Sequence, residues 1–435
     1  MAQRVQGTED LFGGYMRAWQ HMTDVARELF DAYGFDLIET PALEQVDTFV
    51  HGIGESTDVV RKEMFRVFSG ALLPEVLERG SEAHLKPRQR MAMRPEGTAG
   101  VVRAAVEHNF VPQGGAPAKL WYAEAMFRGE RPQKGRLRQF HQVGLEWLGA
   151  SDPAADAECI IVLMEYFKRL GFDPTKLHLV INSMGDAACR PAYREAVRSF
   201  ILSHADEMCE DCIERAELNP LRAFDCKNDH CREVMEGAPK VDEALCDDCR
   251  AHYEQVKRYL DEAGIAYTED PTLVRGLDYY TRTVFEVEVE GAGVGAIGGG
   301  GRYDGLMELE GGKPTPGIGW AVGFERIYLA LQSLGIDLAG EEPGCVYVAC
   351  MPEQRAAAFS ATLALRQAGV RTEADYQGRS LKAQFKQANK LGAQLCVVLG
   401  SDEVAKGVAT VRNMQTHDQV EVPLAELATF VAAHL

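Results

Sequence analysis

The amino-acid sequence predicts an α/β fold spread over two or three domains, and three observations carry that expectation. The chain has 435 residues, 46% of them apolar, which is more than one ordinary domain and the composition of a globular protein. Residues 120–127 and 139–148 read as two antiparallel strands joined by a charged loop, with Pro132 and Gly135 as turn formers. Beyond Leu338 the composition changes at AGEEPG, a linker, and a new alternation of strands and helices begins.

In chain order, Tyr15, Trp19, Met22, Ala26, Leu29, Phe30 and Tyr33 recur on one face of a helix that Gly34 ends. Residues 35–40 have strand composition and meet Pro41, which supplies no ladder donor and suits a strand end or an interface edge. Within RGLDYYTRTVFEV, at 275–287, Tyr279, Thr281, Thr283, Phe285 and Val287 alternate with Tyr280, Arg282, Val284 and Glu286, as in an extended strand. Gly293, Gly295 and Gly298 satisfy G-x-G-x-x-G, yet Gly299, Gly300, Gly301 and Arg302 are a poor opening for a phosphate-binding helix. That stretch reads as a flexible turn rather than a dinucleotide site. In GIGWAVGFERIYLAL, at 317–331, small residues precede a helix with Phe324, Ile327, Tyr328 and Leu331 at helical spacing. C-terminal strands are expected at 345–350, 370–374, 395–399 and 408–414. Arg379, Lys382, Lys386 and Lys390 fall near one face of an intervening helix, either a solvated face or a strip that follows an RNA backbone.

The formal charge of −19 excludes a globally basic nucleic-acid coat, so RNA contact must use local patches such as Arg128, Arg131, Lys134, Arg136 and Arg138. The first residues lack the apolar core of a signal peptide, and no apolar run approaches the ~18 residues of a spanning helix. The chain therefore reads as cytoplasmic, with no membrane partner. Six of the eleven cysteines fall between Cys209 and Cys249, which in such a compartment points to reduced thiols or metal ligands. Cys209 with Cys212, and Cys246 with Cys249, form two C-x-x-C pairs whose four thiolates would close a structural zinc site. Cys226, His230 and Cys231 lie between the pairs, so the ligand set is not unique, and cysteines acting as small apolar residues of a helical insertion are the competing reading.

The segments WYAEAMFRGERPQKGRLRQFHQVGLEWLG, RGLDYYTRTVFEV and GIGWAVGFERIYLAL together resemble the histidyl-tRNA synthetases, a class II aminoacyl-tRNA synthetase family. The resemblance covers nearly the whole chain. It implies an α+β catalytic domain with a mixed, mainly antiparallel sheet at 1–184 and 266–332, an insertion at 185–265, a linker at 333–343 and an anticodon-binding domain at 344–435. It also implies a homodimer, because the helix, strand and Pro41 order matches an interface motif of that class.

By the same resemblance, the enzyme forms histidyl-adenylate from histidine and ATP with Mg2+, then transfers histidine to the acceptor end of histidine tRNA, whose anticodon the last domain reads. Arg128 and Arg275 match positions at the α-phosphate, and Arg326 with Glu325, Glu130, Arg136 and Phe140 matches other ATP positions, Glu325 orienting Arg326 or helping to hold magnesium. Glu96, Thr98 and Gln142 match residues at the amino and carboxylate end of histidine, and Glu146, Tyr280 and Tyr303 residues around the imidazole, beside Tyr279. Glu96 near a helix start is equally a capping carboxylate. Arg131 and Gln133 are candidates for the tRNA acceptor stem, and Arg379, Lys382 and Lys386 for the anticodon. The alternatives are a catalytically silent regulatory paralogue that binds histidine, against which Arg128, Arg275 and Arg326 speak, and an RNA-binding sensor module, which would need neither the arginines nor both imidazole partners.

Overall fold

In the computed structural model, which describes residues 2–340 and 344–435, the chain forms two compact units, Met1–Gly340 and Glu341–Leu435. The first is built on an eight-stranded sheet in the spatial order Asp36–Leu37, Ala118–Phe127, Gln139–Leu148, Gly317–Gly323, Gly298–Arg302, Thr281–Val289, Leu177–Ser183 and Thr268–Glu269. Only the two outermost pairings are parallel, so the sheet is mixed and mainly antiparallel, as expected. Of the strand expected at 35–40, only Asp36 and Leu37 join the ladder.

Helices cover one face of this sheet. Gly13–Ala32 turns Ala18, Met22, Ala26, Leu29 and Phe30 inward, and Gly34 ends it with a φ of +77° that a side chain would resist. Pro153–Arg169 starts where Asp152 accepts from the Ala154 amide at 2.8 Å and adds Ile160, Leu163, Tyr166 and Phe167 to the same core. Each large apolar side chain enclosed there contributes roughly 1.5–3 kcal/mol. Of the expected insertion, Asp247–Glu262 joins the same core through Tyr253, Val256 and Leu260, whereas the helices before it pack with Thr98–Glu107, Tyr279, Tyr280, Val284 and Tyr303 in a second core. Because both faces of Thr281–Val289 are covered, Thr283, Val284 and Phe285 are all buried, and Arg282 takes a φ of +47° that breaks the expected alternation.

The glycine run is where the structure departs furthest from expectation. Gly298–Arg302 is a central strand, not a flexible turn; only Gly293 and Gly295, with φ of +64° and +67°, belong to the loop before it. Backbones crowd this strand so closely that a Cβ on Gly300 would collide with the Gly319 carbonyl, and one on Gly299 would stand 2.6 Å from the Phe285 oxygen. Its register against Thr281–Val289 shifts between Gly301 and Arg302.

The stretch expected as an insertion, 185–265, carries the helices Arg190–Ser203, Glu210–Leu218, Asp229–Met235, Val241–Ala244 and Asp247–Glu262. It does not bring Cys209, Cys212, Cys246 and Cys249 together. Cys209 and Cys212 gather with Cys226 and Cys231, whereas Cys246 and Cys249 gather with Asp186 and Cys189. Each C-x-x-C pair begins a different helix, and the short helices between carry the two pairs to different neighbours.

Of the expected linker 333–343, Leu334, Ile336, Leu338 and Ala339 pack on the first core and residues 341–343 lie outside the described residues. The second unit is a five-stranded sheet in the order Thr372–Ala374, Val346–Cys350, Leu395–Leu399, Val408–Asn413 and Gln419–Pro423, with helices over it. The last strand was not expected, since the polar QVEVP pairs only through its antiparallel neighbour. Among the described residues no helix is long and apolar enough to cross a membrane.

Candidate active site

A cleft of about 400 Å³ opens above the middle of the large sheet, within the range of small-ligand sites. Twelve of the residues singled out from sequence line it: Glu96, Thr98, Arg128, Glu130, Arg136, Phe140, Gln142, Arg275, Tyr279, Tyr280, Glu325 and Arg326. They arrive from separate segments. The hairpin Ala118–Phe127 and Gln139–Leu148 supplies one wall, the start of Thr98–Glu107 the floor, and the stretch before Thr281–Val289 the opposite side.

At the floor, the Glu96 carboxylate accepts from the Thr98 and Ala99 amides, both at 2.9 Å, which is the capping role. The Tyr279 hydroxyl also reaches Glu96, at 3.5 Å. Burial raises the Glu96 pKa above its ordinary value, although the two amides oppose the shift. Beneath Thr98, its hydroxyl donates to Glu146 at 2.7 Å, and Tyr303 donates to the other Glu146 oxygen. Glu146 and Tyr303 thus underlie the cleft rather than line it. Gly319 faces Glu146 across the strand pair, where any Cβ would strike the carboxylate. Enclosed with hydroxyl partners only, Glu146 has its pKa pushed up to about 8 by burial. Gln142 Oε1 is buried on the cleft wall with no hydrogen-bond partner among the described residues.

Four guanidinium groups also line the cleft, those of Arg128, Arg136, Arg275 and Arg326. Arg275 pairs with Glu286, and Gly299 leaves room for its guanidinium. Arg128 is held through Nε by the Pro95 carbonyl at 2.9 Å and lies 5.2 Å from the Phe140 ring centroid. Arg326 donates to the Ala296 carbonyl at 2.8 Å; burial lowers its pKa, and the Arg136 charge adds to that. Arg136 stands 3.5 Å from Glu130. Glu325 does not orient Arg326, because its oxygens accept from the His141 amide at 3.0 and 3.1 Å and meet His141 Nδ1 at 3.0 Å. Consecutive residues of a helix point apart, and the partner comes from the neighbouring strand.

Glu286, which lines the cleft, and His141, which holds Glu325 from behind it, had no role in the sequence analysis. The signal for Glu286 was present, since it stands on the strand that RGLDYY leads into. Arg131 and Gln133 lie exposed on the hairpin loop, outside the cleft lining. In the second unit, Lys382 and Lys386 are exposed on Leu381–Lys390, and Arg379 precedes that helix, bound through its amide to Asp375 at 2.7 Å.

A family model described as histidyl-tRNA synthetase matches residues 84–327, and one described as anticodon binding domain matches residues 345–434. The chain belongs to the histidyl-tRNA synthetase family. Among its relatives, a histidine–tRNA ligase of Halothermothrix orenii is 45% identical, with 97% of each chain covered. One of Anaeromyxobacter sp. is 44% identical, covering 98% of this chain and 99% of the relative. The crystal structure of apo Staphylococcus aureus histidyl-tRNA synthetase superposes with a TM-score of 0.79 at 34% identity, covering 99% of both chains. The histidyl-tRNA synthetase match spans most of the cleft's segments, and the anticodon-binding match falls wholly within the second unit.

Proposed function

We propose that this chain is a histidine–tRNA ligase that activates histidine with ATP and then esterifies histidine tRNA. The observation that carries the reading is one cleft lined by Arg128, Arg275 and Arg326, from three separate segments, together with Gln142 and Tyr280, with the buried Glu146 beneath its floor. In the first step a histidine carboxylate oxygen attacks the α-phosphorus of ATP and pyrophosphate leaves. Arg128 and Arg275 stabilise the charge that builds on the phosphoryl oxygens, and fixed positioning supplies much of the rate. In the second step the terminal ribose hydroxyl of the tRNA attacks the adenylate carbonyl and AMP leaves.

Glu146 and Tyr280 are assigned to the two imidazole nitrogens, and Glu96, Thr98 and Gln142 to the amino acid's common end. Phenylalanine would leave the imidazole partners unpaired, which supports rejection by about ten-thousandfold without editing. Of the cleft carboxylates, Glu96 caps a helix, Glu286 pairs with Arg275 and Glu325 is held by His141, leaving Glu130 the most available. Glu130, 3.5 Å from Arg136, is the carboxylate that would hold a magnesium ion, through one oxygen. Bound there, the ion would neutralise charge on the departing pyrophosphate.

Residues 1–184 and 266–332 form the catalytic part in this reading, 185–265 the insertion and 344–435 the anticodon reader, in which Arg379, Lys382 and Lys386 follow the RNA backbone. The protein works in the cytoplasm as a homodimer. Exposed Leu37 on the outermost strand supports an apolar contact along the sheet edge. A monomeric mass by light scattering at micromolar concentration would remove the dimer.

The deciding experiment is histidine-dependent exchange of labelled pyrophosphate into ATP without tRNA, with phenylalanine and histidinol as controls. Exchange with histidine alone is expected. Tight histidine binding without exchange would make the protein a regulatory paralogue.

A further inference from the structure

The two cysteine groups of the insertion have the geometry of metal centres. In each, all four ligand atoms lie within 4.8 Å of one another. A tetrahedral zinc with sulfur arms of ~2.3 Å has edges of about 3.8 Å. Cys209 and Cys226 hold their sulfurs 3.8 Å apart, Cys189 and Cys249 theirs 3.9 Å apart, and Cys189 Sγ is 3.7 Å from Asp186 Oδ1. No disulfide explains the approach, because all these cysteines are free thiols. Backbone amides also aim at the sulfurs: Cys209 N donates to Cys231 Sγ at 3.2 Å, Asn228 N to Cys226 Sγ at 3.5 Å and Asp186 N to Cys189 Sγ at 3.4 Å. Such donors suit thiolates. Packing alone asks only that cysteines be enclosed; it does not ask ligand atoms from distant segments to meet at one tetrahedron.

The local chain needs such a device. Glu210–Leu218, Asp229–Met235 and Val241–Ala244 have 9, 7 and 4 residues, below the ~12–15 at which a helix holds by itself. The second group is also bolted to the histidine pocket. The other Asp186 oxygen accepts from Arg282 Nη2 at 3.2 Å, and the Arg282 amide donates to Gly185 at 2.7 Å. Arg190, beside Cys189, donates to the Tyr280 carbonyl at 2.5 Å.

We infer that the insertion holds two structural zinc ions, one on Cys209, Cys212, Cys226 and Cys231 and one on Asp186, Cys189, Cys246 and Cys249, and that the second fixes the backbone carrying Tyr279 and Tyr280. The mixed site uses Arg282 to orient its carboxylate, as ligands are commonly steadied from outside the metal's own shell. The first site orders the loop whose Cys209, Cys226 and Asn228 line a neighbouring cleft shared with Arg128 and Arg136.

The test is metal content of the full-length protein, reconstituted anaerobically with zinc and measured by plasma mass spectrometry. Two zinc ions per chain are expected. The pair Cys212→Ser with Cys231→Ser, and the pair Cys189→Ser with Cys249→Ser, should each leave one. Cobalt titration of the metal-stripped wild-type chain should build thiolate–cobalt absorption up to two equivalents; saturation at one, or no such absorption, overturns the two-site proposal whether or not the variants fold. Loss of both metals from a folded double variant also overturns it. The link to the pocket rests on the histidine-binding reading. Calorimetry without ATP should show histidine affinity falling about tenfold in the Cys189, Cys249 variant and unchanged in the Cys212, Cys231 variant. Unchanged affinity in both overturns the fastening, whereas a wild-type protein that binds two zinc ions but no histidine would sink the reading of the pocket and leave the metal sites standing.

Discussion

Arg302 and Tyr303 are consecutive, yet they serve two buried regions that treat a carboxylate in opposite ways. Tyr303 donates to Glu146 under the pocket floor, where the Thr98 hydroxyl donates as well. Arg302 reaches the far side, where it pairs with Asp156, which also meets His252 Nε2 at 2.9 Å. Both carboxylates are fully enclosed. Burial lifts Glu146 to about 8, while at Asp156 the same burial is outweighed by the His252 hydrogen bond and the Arg302 charge, which hold its pKa below the ordinary value. The chain supplies a cation to the carboxylate that only has to hold the fold and withholds one from the carboxylate assigned to a ligand with its own nitrogens.

The most damaging way to break this contrast is Asp156→Ala, which leaves the buried Arg302 with Asp304, at 3.0 Å, as its remaining carboxylate. Urea unfolding should show a loss of about 3–5 kcal/mol, and a loss under about 1 would mean that Arg302 is satisfied elsewhere. Between the two extremes stands Arg275 with Glu286, a charge pair on the cleft wall. Arg275→His should cut single-turnover adenylate formation by about 10²–10³ and spare histidine binding, so an unchanged rate would remove it from the chemistry.

Glu146→Gln tests the other pole. The folded chain holds the Glu146 proton more tightly than the unfolded chain, whose value is near 4.5. This contribution is therefore complete below about 4.5 and lost as pH rises through about 8. The variant should unfold with a flatter pH dependence and gain on the order of 2–3 kcal/mol relative to wild type by pH 9, while histidine recognition falls. Parallel stability curves for the two proteins would refute the assignment. Tyr303→Phe should cost about 1–2 kcal/mol and raise the pH at which Glu146 ionises, read from the same unfolding series. Smallest in stability are Arg131→Ala and Gln133→Ala on the exposed loop, expected within about 0.5 kcal/mol of wild type. They should reduce aminoacylation more than adenylate formation, and equal losses in both steps would end their assignment to the acceptor stem.

Much of the site was legible because its residues sit in short contiguous strings. FRGERPQ, RGLDYY and FERI each carry an arginine that the structure brings to the cleft. The hairpin was legible from its turn residues, and the first helix from its spacing and Gly34. What escaped depends on partners distant in sequence. Glu325 is held by His141, 184 positions away, so adjacency to Arg326 misled. The C-x-x-C pairs announce ligands but not which pair meets which, and Cys189 and Asp186 lie outside the stretch where the spacing drew attention. The glycine run has no intrinsic preference for a strand and becomes one because Thr283, Phe285 and Gly319 close on it from both sides.

That run has a kinetic consequence. A strand with no side chains for four positions has little to fix its alignment, and a slip of one residue would exchange Arg302 and Tyr303 between opposite sides of the sheet. Only one alignment lets Arg302 reach Asp156 while Tyr303 reaches Glu146, and the irregularity between Gly301 and Arg302 lies where that choice is made. The ion pair therefore acts as an index pin: it selects, among near-equivalent ways of zipping the sheet, the one in which Tyr303 reaches Glu146 beneath the cleft.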